Sequence, residues 1–396
     1  MLQRIRNRIA LFITWRLPQI LPFFLIEKRK KEIKVTSKCL LIIRTDAIGD
    51  YVLFRNFLEI LATSEKYKNY KITLLGNQIW KNLAENLDTN WVDNFIWLDR
   101  ERFLNDPIYH TKLILKIRKK NYESVIYPTF SREFFHGDYL VKMTRANQKI
   151  AHQGDLLHES EKIRLETQKI YDQLILTPSK TIFESYRNQL FFENLLHQKI
   201  TLQNPFFPKN VVSPKSQNEG KKIIFFPSAN ADFRRWSPAY FAKLSDLIAE
   251  KFAEKMTWKI EILGSSQDAE IGQKIQKLSK QNIVNECGKT SLMGLIQKIA
   301  EADLLISNET VAIHLAACVK TPTICISNGN HLGRFNPYPP EIAPQILTIY
   351  PKNVQVELKN ESNREKIYEK YAQKSDENIQ EITPKEVFSL LEKMGI

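Results

Sequence analysis

Residues 303–338, DLLISNETVAIHLAACVKTPTICISNGNHLGRFNPY, restrict the fold more than any other stretch of the chain. Residues 303–307 are a short, unbroken apolar run, the pattern of a parallel strand buried on both faces. Asn308 and Glu309 break it. Thr310 is a helix-capping residue type, and Ile313, Leu315, Ala316, Ala317 and Val319 give the segment after it a buried face. Thr321-Pro322 stops that helix. Residues 323–327 read as a second apolar strand, and 328–333 as a turn-rich loop. This is a βαβ unit whose polar residues gather at the carboxyl end of its first strand. The first helical turn there has unpaired N–H groups and a partial positive charge, which suits an anion such as a diphosphate. The plainer reading is an ordinary βαβ core with a satisfied His314.

A second strand, loop and helix stands near the start. Residues 38–44 (KCLLIIR) predict a buried strand, 45–50 (TDAIGD) a turn, and 51–67 a helix with Val52, Leu53, Phe57, Ile60 and Leu61 inward. Polar residues again fall at the mouth of a parallel sheet, where open α/β folds bind ligands. Gly49 permits close backbone approach or an unusual dihedral. Asp46 and Asp50 are carboxylates able to take the proton of an attacking hydroxyl. Asp50 also suits a helix N-cap, and the two roles can coexist. The alternation continues with strands at 71–75, 93–98 and 124–127 and helices at 78–86 and 108–120. Ser131 and Arg132 follow the 124–127 strand and are candidate ligand contacts, Arg132 equally a solvated rim residue. Residues 149–158 read as strand and loop, and 161–195 as helical and charged.

Residues 201–222 carry three prolines and little periodicity, which marks a domain boundary. Beyond it, 222–226 predicts a strand, followed by a loop through Ser228, Arg234 and Arg235. Ser237 caps a helix over 239–252, with Pro238 at its first position. A departing diphosphate gathers negative charge that a preorganised guanidinium can clamp; two exposed arginines before a helix is the plainer alternative. A strand over 257–263 ends in Gly264-Ser265. His331 and Arg334, in the basic loop after the 323–327 strand, are phosphate or sugar candidates or parts of a structural loop.

Three of these stretches resemble glycosyltransferase family 9, the heptosyltransferase-like enzymes, in family order: 46–50 (DAIGD), 234–238 (RRWSP) and 309–317 (ETVAIHLAA). Glu309 stands where the family usually has Asp, Val311 where Gly or Ser is common, and Ser228 where Gly is usual. The resemblance implies an α/β fold of the GT-B class, two facing Rossmann-like domains with parallel sheets and a cleft between them. It implies an inverting, metal-independent transfer with Asp50 as base. Ser228, Arg234, Arg235, Gly264, Ser265, Glu309, Thr310, Val311 and His314 would bind a nucleoside-diphosphate sugar, ADP-heptose being the family's usual donor. Asp46, Gly49, Ser131, Arg132, His331 and Arg334 are further candidate acceptor or phosphate contacts. The acceptor would be a lipopolysaccharide-type or other cell-surface glycan or glycolipid. No cofactor is expected, since the sugar nucleotide is a substrate. The sequence has no Asp-x-Asp pair to hold a metal ion on the diphosphate.

The expected organisation is a basic segment at 1–34, an acceptor domain at 35–205, a linker at 206–222, a donor domain at 223–370 and a terminal helix at 371–396. The net charge is 58 − 44 = +14, and residues 1–34, with nine basic and two acidic residues, carry half of it. That segment is interrupted by Arg16, Pro18 and Pro22, a poor spanning helix but a good interfacial one for an anionic membrane surface, with Trp15 and Phe12 at headgroup level; packing on the protein itself is the alternative. Four scattered cysteines suggest neither a disulfide framework nor a metal site. The expected location is the cytoplasm, at the inner membrane face. Two rival classes remain. One is a sugar-nucleotide or glycan-binding module without transfer, or a transferase using another donor sugar. The other is nucleic-acid binding, which the diffuse charge outside residues 1–34 disfavours.

Overall fold

The computed structural model describes residues 38–201, 205–208, 211–213, 220–252 and 258–395. The expected membrane-binding segment therefore lies outside the described residues, as does part of the proline-rich boundary.

Two six-stranded parallel sheets carry the fold. The first contains β1 (Cys39–Arg44), β2 (Lys71–Asn77), β3 (Asn94–Leu98), β4 (Asn121–Tyr127), β5 (Arg145–His152) and β6 (Gln173–Ile175) in the order β3-β2-β1-β4-β5-β6. The second contains β7 (Lys221–Phe226), β8 (Trp258–Ile262), β9 (Val284–Asn285), β10 (Leu304–Asn308), β11 (Thr323–Ile326) and β12 (Ile346–Ile349) in the order β12-β11-β10-β7-β8-β9. Both sheets thus place their first strand beside their fourth, the doubly wound arrangement in which a crevice opens at the carboxyl ends where strand order reverses. The apolar runs explain the parallel pairing. Leu40 to Ile43 are fully buried, as are Leu304 to Ile306, because helices cover both faces.

Each sheet has its own core. Leu41, Ile43, Leu75, Val125 and Tyr127 pack with Leu113, Ile117 and Leu140 in the first. Ile223, Phe225, Ile262 and Ile306 pack with Trp236, Phe241, Val387 and Leu391 in the second. The terminal helix is Pro384–Lys393, shorter than the expected 371–396, because it starts only at a capping box between Thr383 and Glu386.

The chain divides into two compact units, but not at one point. Residues 48–56 and 178–187 group with the second sheet, while 57–177 and 188–200 group with the first. This corrects the single helix expected over 51–67. It is two helices, Ile48–Phe54 and Asn56–Thr63, interrupted at Arg55. The Arg55 guanidinium turns to the Phe206 carbonyl at 2.7 Å and over the Phe207 ring. The apolar periodicity runs on through the break because both helices bury a face, each in a different unit. The span 161–195 is likewise not all helical. The helix Glu161–Gln168 is followed by β6, three residues long and too short to show a period, and then by the helix Glu184–Leu196.

Candidate functional site

At the carboxyl end of β10 the chain passes from Asn308 through Glu309 and Thr310 into the helix Val311–Val319. The Thr310 hydroxyl accepts the Ala312 N–H at 3.3 Å, the expected cap, and Val311 opens the helix. Lys320 in the left-handed region, φ 62°, turns the chain out ahead of Thr321-Pro322.

Glu309 is buried and anchored twice. Ser327 Oγ donates to one carboxylate oxygen at 2.6 Å, and Arg234 Nη2 donates to the other at 3.0 Å and to the Glu309 carbonyl at 3.0 Å. Burial pushes the Glu309 carboxyl up, against the pull of Arg234 and the hydrogen bonds of Ser327 and Asn336. Arg235 lies next to Arg234, with its guanidinium on Asp232 and on the Ala229 carbonyl. Asn308, the last residue of β10 and in sequence marked only by ending the apolar run, organises this loop. Its amide donates to the Pro227 carbonyl at 2.7 Å and more weakly to that of Ser228 at 3.4 Å. Its side-chain oxygen accepts the Trp236 N–H at 3.2 Å. Asparagine was the only signal available: a side chain with both a donor and an acceptor at a strand end can bridge two loops.

The Nε atoms of Arg234 and Arg235 are buried with no hydrogen-bond partner among the described residues. An orphaned buried N–H costs roughly 1–3 kcal/mol unless something accepts from it. Two of them, on adjacent arginines, fit a polyanionic ligand. Arg132 Nε in the first unit is also an orphan, but its guanidinium is otherwise spent on Asp138 and the Gln153 carbonyl.

His314 lies one turn into the Val311–Val319 helix, almost completely buried. Its Nδ1 is 2.6 Å from the Tyr338 hydroxyl. Burial lowers its pKa to about 4, so the ring is neutral near pH 7. Gly49 lies against this ring. A Cβ at position 49 would stand 2.8 Å from His314 Cδ2 and 3.3 Å from Nε2. Close approach, not an unusual dihedral, is therefore what the glycine provides. It lets the Ile48–Phe54 helix settle in the second unit, where Leu53 packs with Ile313, Ala317 and Tyr338. Asp50 is the third residue of that helix, not its N-cap. A carboxylate in a first helical turn is favoured by the helix's positive end.

His331 has φ 56° and its Nδ1 3.0 Å from the Asn330 amide. Burial, with Arg234 and Arg334 adding to it, lowers its pKa to about 3. Arg334 pairs with Glu184 at 3.0 Å. Gly264 has Asp268 close by, 2.9 Å from a notional Cβ, and Ser265 N–H and Oγ both donate to that aspartate. Gly264 and Ser265 thus form a tight strand-to-helix turn of their own.

The corresponding end of the first sheet is braced by paired charges. Arg44, fully buried, holds the Asp46 carboxylate at 2.8 Å. Asn77, Trp80 and Arg100 donate to the backbone carbonyls of Thr45 and Asp46. Arg100 also pairs with Glu133 at 2.7 Å. Burial opposes the Glu133 charge, but His136 and Arg100 outweigh it and hold the carboxyl down at about 2. Arg132 is fully buried, which corrects the solvated-rim reading. It shares Asp138 with Arg164. Ser131 Oγ donates to Asp155 at 2.8 Å. Asp138 and Arg164 had no signal in the sequence: Asp138 ends a π-helical turn at Phe134–Asp138, six residues after Arg132, and Arg164 comes 26 residues later, with no period linking them.

Among the described residues no three His, Cys, Asp or Glu side chains gather as metal ligands, and no helix is long and apolar enough to cross a membrane.

The family model described as glycosyltransferase family 9 (heptosyltransferase) matches residues 111–367. A lipooligosaccharide heptosyltransferase 2 of Campylobacter jejuni serotype O:2 is 32% identical over 152 residues, 37% of this chain and 44% of the relative, so the chain spans less than half of that protein. The protein of the same description from serotype O:6 is 26% identical over 283 residues, 61% of this chain and 84% of the relative. Among solved structures, an E. coli ADP-heptose lipopolysaccharide heptosyltransferase II superposes with a TM-score of 0.64 at 15% identity, covering 90% of this chain and 98% of that one. At that identity the likeness shows the fold: α/β with two Rossmann-like sheets, the GT-B class.

Proposed function

The chain belongs to glycosyltransferase family 9, and from that premise we propose that it moves a heptose from ADP-heptose to a hydroxyl of a lipopolysaccharide-type acceptor. The transfer is inverting and needs no metal ion. Asp50 takes the proton of the attacking hydroxyl as the nucleoside diphosphate leaves from the opposite face of the anomeric carbon. Arg234, Arg235 and the start of the Val311–Val319 helix take up the charge of the leaving diphosphate. Glu309 holds Arg234 in place from behind. Gly264 and Ser265 border the nucleoside, and acceptor recognition belongs to the first unit.

The observation that carries this reading is the pair of orphaned, buried Nε atoms on Arg234 and Arg235 at the reversal point of the second sheet. Their geometry favours a diphosphate over a neutral ligand. Asp50 is taken as the base on its place after Gly49 in the DAIGD stretch; the Asp46 carboxylate, at 2.8 Å from Arg44, is taken as a loop brace. The basic residues 1–34 hold the enzyme at an anionic membrane face near its glycolipid acceptor.

The test is thermal unfolding of the purified protein with ADP-, GDP-, UDP- and CDP-sugars. A ligand at ~100 times its dissociation constant adds roughly 2.7 kcal/mol. Stabilisation by ADP-heptose, lost in Arg234→Ala, is the expected result; stabilisation by another nucleotide sugar alone replaces the donor. Binding without transfer to any lipopolysaccharide-type acceptor would leave the non-catalytic binding module. Unchanged membrane recovery after deletion of residues 1–34 would remove the membrane role.

A further inference from the structure

His314 is the one imidazole packed against the glycine that precedes the candidate base, so the nitrogen that carries its proton decides what that edge of the ring can do. Its Nδ1 is 2.6 Å from the Tyr338 hydroxyl. Two arrangements satisfy that distance. In one, Nδ1–H donates to the phenol oxygen, and the phenol proton then needs an acceptor of its own. Tyr338 is buried and has no second hydrogen-bond partner among the described residues, so that proton would be stranded, at roughly 1–3 kcal/mol. In the other, the phenol donates to a bare Nδ1 and the ring proton sits on Nε2, which is not among the buried atoms left without a partner. Burial keeps the phenol protonated and the imidazole neutral.

We propose that Tyr338 is a positioning residue: its hydroxyl donates to His314 Nδ1, fixing the tautomer with the proton on Nε2 and making that edge of the ring a hydrogen-bond donor beside Gly49. The packing makes this a rigid arrangement. Tyr338 shares a buried cluster with Leu53, Ile313 and Ala317, the side chains that join the Ile48–Phe54 and Val311–Val319 helices. A notional Cβ on Gly49 lies 3.3 Å from Nε2, so the N–H emerges next to the peptide leading into Asp50.

Two consequences follow. His314 presents no lone pair on that edge and is not a proton acceptor there. The Nε2–H instead serves an anionic oxygen, either the Asp50 carboxylate or an oxygen of the diphosphate. The rate consequence rests on the proposed transferase reading; the tautomer does not. A neutral donor already aimed in the resting enzyme needs no reorganisation when charge develops on the leaving oxygen.

The experiment is nitrogen-15 NMR of the full-length protein with labelled histidine, the His314 signal assigned by its loss in His314→Gln. Long-range nitrogen–proton correlations separate the two neutral tautomers. The expected result is Nε2–H in the wild type and a mixture, or a switch to Nδ1–H, in Tyr338→Phe. In addition, the Nε2 resonance shifts in Asp50→Asn if the carboxylate is the acceptor, or on adding ADP if phosphate is. With transfer measured alongside, Tyr338→Phe lowers kcat on the order of 10- to 100-fold while donor KM stays within about threefold. A wild-type Nδ1–H tautomer overturns the proposal, as does a Tyr338→Phe protein that keeps Nε2–H and the full rate. An Nε2 signal unmoved by both Asp50→Asn and ADP overturns the donor role. If the wild type transfers no sugar at all, the transferase reading fails while the tautomer result still decides the role of Tyr338.

Discussion

The loop after β1 and the loop after β10 begin alike and end differently. Each leaves a buried strand at the carboxyl edge of a parallel sheet, passes through a carboxylate and enters a short helix. After β10 the strand and the Val311–Val319 helix stay in one compact unit, and the carboxylate, Glu309, is buried against Arg234. After β1 the chain changes unit between Ala47 and Ile48. Asp46 remains with the first sheet, tied to Arg44, while Asp50 goes with the helix that packs on His314. Identical local grammar therefore produces a closed ion pair that shapes a site in one place. In the other it produces two aspartates, four residues apart, with separate surroundings. The difference comes from one missing Cβ, at Gly49, and from the side chains of Leu53, Ile313 and Ala317 that fill the contact it permits.

Exchanging the two aspartates is the strongest way to break this comparison. Asp50→Asn is expected to lower transfer by about 100- to 10,000-fold with donor binding kept, measured by steady-state turnover and thermal shift. Asp46→Asn should instead lower stability more than chemistry; the reverse ranking would move the base to the first unit. Next in size, Arg234→Ala leaves Glu309 buried and unpaired, and denaturant unfolding should show a loss of about 3 kcal/mol or more. Arg234→Ala,Glu309→Gln should recover part of that loss without recovering donor binding. Gly49→Ala comes third. Its Cβ would meet the His314 ring at 2.8 Å, a clash worth about 1–3 kcal/mol, and the paired variant Gly49→Ala,His314→Ala should be less destabilised than the two changes added together.

The smallest effect concerns pH. The folded pKa of His314 is about 4, below the ordinary value of 6.5, so between those values the unfolded chain binds a proton that the folded one refuses. Stability from this group is complete above pH 6.5 and declines as pH falls toward 4. The expected loss between pH 7 and pH 5.5 is about 1 kcal/mol. His331 acts in the same direction. Urea titrations of wild type and His314→Gln at both pH values would show a shallower pH dependence in the variant; equal slopes would mean that His314 is not held neutral by burial.

Much of the fold was legible because buried parallel strands are written as unbroken apolar runs and capped helices as Ser, Thr or Asp before a periodic segment. The strand end at Arg44, the ends of β10 and β11 to within a residue of positions 307 and 327, and the Thr310 cap all follow from such local rules. β6 and the break at Arg55 were not legible. The first is too short for a period, and the second preserves the period while changing its partner. The candidate residues divide in the same way. Glu309, Thr310 and Arg234 gather because they sit at the ends or first turns of elements in one sheet, while His314, a turn further on, meets Gly49 and Tyr338. Ser131 and Arg132 look equivalent in sequence yet are drawn into a network with Asp155, Asp138 and Arg164, which no local period announces.

By itself the sequence determined that this chain forms two parallel-sheet α/β units, where most of the central strands lie, and which polar residues follow them, because hydrophobic period and capping chemistry act over a few residues. Only the tertiary structure decided which unit each helix joins, that Gly49 is needed for contact with His314 rather than for its own dihedral, and that Asp46 is braced by Arg44. It also decided that Asn308 ties two loops together and that Tyr338 meets an imidazole twenty-four residues earlier in the chain. Those outcomes depend on which surfaces can approach closely enough to exclude water and satisfy each other's buried polar groups. That complementarity is a property of pairs of distant segments, and no single segment carries it.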